Sequence, residues 1–348
     1  MIIKVYLAVL INFRVCTFMK KTVPLIITIL LLPLVSFSQN EQPSGKPVIE
    51  IFTDFHSPLK KDNSSTTGFA VNRAYFGYNY IIDKNFSTEI ILNLGSPDDL
   101  AKGYRARRYA FFREAAFNYN KNGFSVTAGM IKTTYFMFQS TFLGMRYLSK
   151  TFQDLNAYGY DSDLGFAAAY KFSDTFQADF SVINGEGGGS LQMDNNLKYC
   201  SGLTIQPARN FVIRLYDGIM KNKNVVQNES LVFSGFKNEK FFIGAEFDYK
   251  TSLDTISGHN GYGLSATGGI NLTRNLMFFS RYDFASSVKL AGEANGWNYG
   301  KDSQFAIIGF QYTVSKSLRL ALDYQARFPD DKTKSSTQMI FINAGFRI

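Results

Sequence analysis

Cysteine is nearly absent from the sequence, which contains only two such residues. Cys16 lies in an N-terminal segment that we expect to be removed, so Cys200 is the single thiol of the mature chain. One thiol can form neither an intramolecular disulfide nor a four-ligand zinc site. We therefore expect Cys200 to lie on a strand as a small apolar residue.

Histidine is equally scarce, since the chain has only His56 and His259. A hydrolase would need a histidine beside a serine nucleophile and an orienting polar group. Ser257 and Asn260 lie near His259, but a Ser-x-His triplet in a glycine-flanked loop is common by chance. The glycine-rich run 185–189 is not followed by the Lys-Ser/Thr pair of a phosphate-binding loop, and no metal-ligand spacing occurs. The sequence thus predicts that the protein is not an enzyme and requires no cofactor or metal.

Long apolar runs are missing outside the N-terminus, and the mean hydropathy is -0.09. A membrane-spanning helix needs about 20 consecutive apolar residues. The composition therefore excludes a protein that crosses the membrane with several helices.

The one long apolar run has the pattern of a signal peptide. Two lysines precede the apolar segment 23–35, which ends at small residues of the kind that a signal peptidase recognises. We expect residues 1–38 to be this signal peptide, with 1–18 an upstream extension from a mis-chosen start codon. The alternative is a helix retained in the inner membrane. Removal of 1–38 takes away four basic residues and no acidic one, which lowers the formal net charge from +9 to +5. No basic run is interleaved with aromatic residues, so we expect no nucleic-acid partner.

Aromatic residues are abundant, with 34 Phe and 20 Tyr, and they occur in alternating patterns. Within 240–250, for example, every second residue is apolar, while the residues between them include Glu246 and Asp248. Alternation over about ten residues is typical of a β-strand with two unlike faces. A mean hydropathy near zero agrees with strands that face lipid on one side and a polar lumen on the other.

The connections between these segments alternate in length. Short turns such as 120–123 alternate with longer polar loops such as 286–302, which is typical of bacterial outer-membrane barrels. Aromatic residues gather beside the turns, as in the girdles at the two membrane interfaces. We predict an all-β fold, an antiparallel transmembrane β-barrel of about 16 strands over residues 47–348, preceded by a short leader, 39–46. A soluble β-sandwich, the alternative, would not need so many strands.

Three segments carry a more specific pattern. They are FAVNRAYFGY at 69–78, REAAFNY at 113–119 followed by FSVTAGMIKT at 124–133, and VINGEG at 182–187. These segments resemble the phosphate-selective porin O and P family, in the form that Bacteroidetes encode. One departure is Thr134, which stands where that family usually has proline.

The resemblance implies a trimer of 16-stranded barrels and a long third loop that folds into the lumen, where arginines and lysines select anions. In this chain the loop would cover residues 132–163, and a connection of that length in a compact domain is usually functional. The resemblance also implies that the last strand, with Phe346 near its end, is recognised by the barrel-assembly machinery.

Basic residues are the candidates for a pore lining. Arg73, Lys132, Arg281 and Arg319 fall on predicted lumen faces, and Arg146 lies in the predicted inward loop. Acidic residues share the predicted lumen faces, which predicts a weakly selective pore. They are Glu89, Glu114, Asp179, Glu246, Asp248, Asp283 and Asp323.

An arginine cluster precedes the fourth strand. It consists of Arg105, Arg107 and Arg108, with Arg113 five residues further on. Simple alternation would aim Arg113 at lipid, at a cost of about 2–4 kcal/mol. Either a bulge near 109–112 resets the register, or Arg113 lies at the rim. Two interpretations of these arginines stay open: they line the lumen and attract anions, or they lie in a loop and contact lipopolysaccharide phosphates or neighbouring carboxylates.

The sequence therefore predicts an outer-membrane porin for passive diffusion of small solutes, tilted slightly towards anions such as phosphate by its net charge. A structural or adhesive barrel with a blocked lumen is one alternative, and a barrel hydrolase that depends on His259 is another. The expected partners are the lipid bilayer, lipopolysaccharide, small solutes and further copies of the chain in a homotrimer.

Overall fold

A closed antiparallel β-barrel accounts for most of the chain. The structure is a computed structural model that describes residues 43–60, 66–94, 110–135, 137–192 and 194–348. Each strand pairs with the next along the chain, and the first pairs with the last, so the sheet has no free edge. The 16 strands are β1 Ser44–Pro58, β2 Gly68–Ile81, β3 Phe86–Leu94, β4 Ala110–Lys121, β5 Phe124–Lys132, β6 Ser162–Lys171, β7 Phe176–Ile183, β8 Lys198–Ala208, β9 Phe211–Asn222, β10 Val225–Lys237, β11 Phe241–Thr251, β12 Gly261–Asn271, β13 Leu276–Ser287, β14 Ser303–Thr313, β15 Leu318–Pro329 and β16 Thr337–Arg347.

The predicted fold class is confirmed. The first strand begins at Ser44 and therefore includes the last residues of the segment predicted as a leader, 39–46. Seven short turns connect the strands at one rim, as the sequence predicts. The connections at the other rim are longer, except for the two-residue turn 223–224 between β9 and β10, which sequence analysis does not predict. By the usual orientation of such barrels, the rim with short turns faces the periplasm.

Among the described residues, helical structure is confined to connections. Helix α1 is Met137–Leu143, helix α2 is Phe152–Leu155, and a single 3₁₀ turn covers Leu253–Thr255. In the part of the chain that the structure describes, no helix is both long and apolar enough to cross a bilayer.

The outer face of the barrel is apolar because alternate residues of each strand point outward. On β11, Ile243 and Phe247 have exposed fractions of 52% and 41%, whereas Glu246 and Asp248, on the opposite face, are buried in the interior. Exposed aromatic residues such as Tyr78 and Phe310 lie near strand ends. A surface of this kind is suited to a lipid bilayer, with the aromatic residues at its interfaces.

The connection from β5 to β6 folds into the barrel, as predicted, and we call residues 133–161 the inner loop. Tyr135, Phe152 and Tyr158 of this loop are buried in one apolar cluster with Tyr216 and Phe233 of the barrel wall. Six wall side chains also donate hydrogen bonds to backbone carbonyls of the loop, which fix its path. They are Arg214 to Thr134 (3.4 Å), Lys237 to Phe142 (3.0 Å), Arg319 to Gly144 (3.0 Å), Gln325 to Leu148 (3.2 Å), Arg281 to Lys150 (2.6 Å) and Lys250 to Tyr158 (3.0 Å).

Candidate functional site

Two β-bulges bring additional polar side chains into the lumen. Between β3 and β4 the register shifts so that Ile91 pairs with Glu114 and Leu92 pairs with Phe112, which makes Arg113 the extra residue. A bulge breaks the alternation locally. As a result Arg113 and Glu114 are neighbours in sequence and both buried, with exposed fractions of 6% and 0%. Of the two predicted positions for Arg113, the structure shows the bulge, which is centred on Arg113 itself.

The second bulge lies between β1 and β2. Phe52 pairs with Arg73 and Thr53 pairs with Val71, so Asn72 is the extra residue. Asn72 donates a hydrogen bond to the buried carboxylate of Asp54 at 2.5 Å. This bulge lies beside the first one, and together they concentrate polar groups at one side of the barrel interior.

Three guanidinium groups meet two carboxylates at this side of the lumen. Arg73 Nη2 lies 2.7 Å from Asp154 Oδ2, and Arg146 Nη2 lies 3.2 Å from the same atom. Arg113 Nε and Arg146 Nη2 lie 3.2 Å and 3.3 Å from Asp161 Oδ2. Arg73 also reaches Asp161 at 3.5 Å. We call these five residues the constriction cluster, in which three positive charges face two negative ones.

Tyr75 supports the cluster from β2. Its hydroxyl accepts a hydrogen bond from Arg73 Nη1 at 2.8 Å, and its ring lies 4.2 Å from the guanidinium carbon of Arg113. Both contacts restrict the arginine side chains, because a planar guanidinium that stacks on an aromatic ring loses rotational freedom.

The environment shifts the pKa values of two loop residues of the cluster, Asp161 and Arg146. Burial alone would raise the pKa of Asp161, but Arg146, Arg113 and Arg73 outweigh burial and hold it below its ordinary value. Burial lowers the pKa of Arg146, and the positive charge of Arg73 adds to this effect. Asp161 is therefore ionised at neutral pH and binds the three arginines together.

Two cavities lie on opposite sides of the constriction cluster. The upper vestibule, towards the long loops, has a volume of about 460 Å³. The lower vestibule, towards the short turns, has a volume of about 370 Å³. Both are lined by Phe52, Arg146 and Tyr147, so these residues lie where the two cavities meet. Tyr147 is held there because its hydroxyl donates to Gln311 at 2.7 Å.

The two vestibules differ in charge. In the upper vestibule three basic and three acidic side chains balance one another; they are Arg73, Arg146, Lys150, Asp54, Asp154 and Asp161. In the lower vestibule five basic side chains accompany a single acidic one; they are Arg113, Lys132, Arg146, Arg319, Arg347 and Glu50. Glu114, buried behind this lining, contacts Arg113 at 2.9 Å and Lys132 at 2.6 Å and offsets part of the charge. The lower vestibule is the more basic of the two.

The predicted site residues separate into three groups. Arg73, Arg113 and Arg146 come together in the constriction cluster, and Lys132 lines the lower vestibule below it. Arg281 and Arg319 instead hold the inner loop. Arg281 also forms a two-pronged ion pair with Asp283 at 2.9 Å and 2.6 Å, whereas Arg319 still borders the lower vestibule. Arg105, Arg107 and Arg108 lie outside the described residues.

Sequence analysis does not identify the acidic half of the constriction cluster. Asp154 lies in α2, where its backbone N–H is capped by the Thr151 hydroxyl at 3.4 Å, and Asp161 lies at the end of the inner loop. The Thr-x-x-Asp spacing is a helix-start signal that indicates α2 but not its ion pairs.

The histidines do not form a hydrolytic site in the part of the chain that is described. His56 Nδ1 lies 2.6 Å from Asp54 Oδ1, and the ring of His259 stacks on Trp297 with centroids 4.1 Å apart. Within the described ranges, no serine hydroxyl is hydrogen-bonded to either ring, and no group of His, Cys, Asp and Glu side chains could hold a metal ion.

Replacement of Asp161 by asparagine tests whether ions pass the constriction cluster. At pH 7, D161N removes one of the two carboxylates that face three guanidinium groups. We expect the permeability ratio of chloride to potassium to rise at least about fivefold, since one charge a few ångströms from an ion contributes about 1 kcal/mol in water and acts oppositely on the two ions. Reversal potentials in a KCl gradient measure this ratio.

The same change in selectivity has a defined pH dependence in the unmodified chain. Because the arginines hold the pKa of Asp161 in the folded chain below its ordinary value of about 3.9, its carboxylate stays charged until the pH falls below that value. The unmodified chain should thus keep its selectivity from pH 7 to about pH 5. D331N, in an exposed loop, is the control. An unchanged reversal potential in D161N would mean that ions do not pass this cluster.

Comparison with known proteins yields similarity in fold alone. No protein-family model matches the sequence, and no curated protein matches it. OmpF of Salmonella typhi, in complex with daunomycin, is 12% identical over 87% of this chain and 97% of that chain, with a TM-score of 0.67. The outer membrane channel DcaP of Acinetobacter baumannii is 14% identical over 90% and 99%, with a TM-score of 0.62. The trimer form of OmpT, an outer membrane protein of Vibrio cholerae, is 10% identical over 88% and 100%, with a TM-score of 0.57. The barrel fold and its apolar outer belt together assign the chain to the bacterial outer membrane, as the sequence predicts.

Proposed function

We propose that the chain is a porin, a diffusion channel through which small hydrophilic solutes cross the outer membrane past the constriction cluster. The observation that carries this proposal is the pair of vestibules that share Phe52, Arg146 and Tyr147. A barrel of 16 strands is wide enough for an aqueous channel, which the inner loop then narrows. DcaP, whose fold is similar, is described as an outer membrane channel.

We propose further that the channel favours small anions. The five basic residues of the lower vestibule, against one acidic residue in its lining, support this preference. Low-dielectric walls concentrate the field of like charges, which raises the local concentration of counter-ions. Phosphate is one anion of suitable size, in line with the resemblance to the phosphate-selective family.

Assembly as a homotrimer belongs to the same proposal. The similar OmpT of Vibrio cholerae has been described in a trimer form. Recognition of β16 by the barrel-assembly machinery remains a prediction from the sequence.

A structural barrel with a blocked lumen is the second candidate. The observation that favours it is the apolar cluster that joins the inner loop to one side of the wall, where Tyr135 and Phe152 have exposed fractions of 2% and 1%. This packing fills part of the interior. The two candidates differ in whether an open passage runs through the lumen on its other side, along β1 to β4.

Single-channel recording in planar bilayers distinguishes them. The refolded chain should give stepwise currents, and its reversal potential in a KCl gradient should indicate a preference for chloride. The double variant K132Q/R347Q removes two charges from the lower vestibule and should shift the permeability ratio towards potassium several-fold, without a change in fold. K289Q/K334Q, which alters two lysines of the long loops, is the matched control.

Three outcomes would count against the proposal. A correctly folded but silent barrel would favour the blocked lumen. A preference for potassium in the unmodified chain would contradict the proposed anion preference but would still support a channel. Equal shifts in the two double variants would mean that the lower vestibule does not determine selectivity.

A further inference from the structure

The two rims of the barrel differ in charge. Each of the seven short turns has a lysine or arginine in the turn or at the adjoining strand residue, from Lys84 in the first turn to Lys316 in the last. The only acidic residues at these turns are Asp83, Asp174 and Glu239. The described residues of the long loops, in contrast, include about as many acidic as basic side chains. The rim with short turns is therefore a basic surface.

The turns β2–β3, β4–β5 and β6–β7 form a continuous groove on this rim, with a volume of about 530 Å³. We call it the rim groove. Its lining includes three lysines and three asparagines from the three turns, and no carboxylate. These residues are Lys84, Lys121, Lys171, Asn85, Asn120 and Asn122.

The rim groove is held together by hydrogen bonds between neighbouring turns. The backbone N–H of Asn120 donates to the carbonyl of Asn85 at 2.8 Å, and the N–H of Lys171 donates to the carbonyl of Gly123 at 2.9 Å. These bonds join the three turns, so the backbone positions of the three lysines are set before any ligand binds. Preorganisation of this kind lowers the entropic cost of binding.

The nearby acidic residues do not neutralise the lysines of the rim groove. Asp83 accepts hydrogen bonds from the backbone N–H groups of Asn85 and Phe86 at 2.7 Å and 2.9 Å, so its carboxylate belongs to its own turn. Asp174 pairs with Lys171 at 2.7 Å, but its side chain is fully exposed, and exposed pairs of this kind are weak. An anion of higher charge can therefore displace it.

The position of the groove indicates which anion it fits. Its lining also includes Ser125, Ala169 and Gln177, which belong to the inward-facing side of their strands. Most of its lining thus faces the aqueous mouth of the barrel, while Phe124, with an exposed fraction of 41%, borders the groove from the outer face. Three lysines on three separate turns match a ligand with several spaced carboxylates better than a single small ion.

We propose that the rim groove binds an acidic peptide on the periplasmic side of the membrane. The ammonium group of lysine only donates hydrogen bonds, and the side-chain amide of asparagine donates through its NH₂ group. Both therefore pair well with carboxylates. The volume of the groove is in the range of ordinary ligand sites. This site is separate from the constriction cluster, so the inference stands independently of whether the barrel conducts ions.

A fluorescein-labelled hexaglutamate peptide tests the proposal. Its affinity for the full-length refolded chain in neutral detergent is measured by fluorescence anisotropy at low salt. The triple variant K84Q/K121Q/K171Q should bind it about tenfold more weakly, since three partly exposed charge pairs together contribute about 1.4 kcal/mol. The matched control is K289Q/K332Q/K334Q, with three lysines of the long loops, and it should bind as the unmodified chain does.

Each other outcome overturns the proposal. Equal loss in both triple variants would mean attraction to net charge alone, and no loss in either would place any peptide binding elsewhere. If the rim variant binds the peptide normally but loses a stabilising effect of phosphatidylglycerol vesicles, the lysines contact lipid instead. Unchanged β-sheet circular dichroism and bilayer conductance in both variants separate these outcomes from misfolding and from failure of the proposed channel function.

Discussion

Replacement of residues 137–155 by a short glycine–serine linker is expected to raise the single-channel conductance by roughly a factor of two or more. This segment contains α1, α2, Arg146 and Tyr147, and it separates the two vestibules. Without it, the interior of a 16-stranded barrel should approach the open channel that its circumference allows. Conductance in 1 M KCl is the measurement, because high salt suppresses the effects of charge and reports mainly the pore width.

The control replaces residues 331–335 by the same linker. That segment connects β15 to β16 at the long-loop rim and is largely exposed, so its replacement should leave the conductance unchanged. The shortened inner loop should also reduce the difference between D161N and the unmodified chain, because ions in the wider lumen pass farther from Asp161 and its charge is screened by water. If the conductance stays the same, the narrowest level of the lumen lies away from the inner loop.

Glu229→Gln is expected to lower the free energy of unfolding by about 3–5 kcal/mol. The carboxylate of Glu229, with an exposed fraction of 1%, contacts the ammonium groups of both Lys198 and Lys250 inside the barrel. Lys250 also donates to the carbonyl of Tyr158 at 3.0 Å and so connects this group to the inner loop. Loss of the carboxylate charge leaves two buried ammonium groups beside each other, and their mutual repulsion opposes the docked loop.

Urea unfolding in detergent, followed by the fluorescence of the single tryptophan, Trp297, measures this change. The control is the triple variant K198M/E229L/K250M, in which apolar side chains of similar size replace the whole group. It should lie close to the unmodified chain, since removal of a complete buried ion group is often nearly neutral. A change below about 0.5 kcal/mol in E229Q would mean that the group is solvated in the folded barrel.

The strands were predictable wherever one face meets lipid and the other meets polar groups. Strand β10, Val225–Lys237, is the exception, and sequence analysis does not single it out. Its inward-facing Leu231 and Phe233 are buried against the inner loop, and its outward face includes Asn228 and Ser230. The polarity of its two faces is therefore not the one that alternation in a water-filled barrel predicts.

The composition of the constriction cluster was only half predictable. Sequence analysis proposes Arg73, Arg113 and Arg146, but the position of Arg113 depends on a bulge that only strand pairing reveals. The carboxylates of Asp154 and Asp161 belong to a connection without alternation. Their positions are set by long-range contacts between the loop and the wall, which local sequence patterns do not encode.

The hydrogen bonds that fix the inner loop have a consequence for how such a protein can change over time. All six wall donors, among them Arg281 and Arg319, bind main-chain oxygens of the loop and none of its side chains through these contacts. Every residue type, proline included, has a main-chain carbonyl that can accept such a hydrogen bond. Substitutions at loop positions such as Ser149 or Lys150 can therefore alter what the constriction admits while the loop keeps its course. At these positions the main-chain bonds that fix the loop are separate from the side chains that line the lumen, so the side chains can change without loss of the bonds.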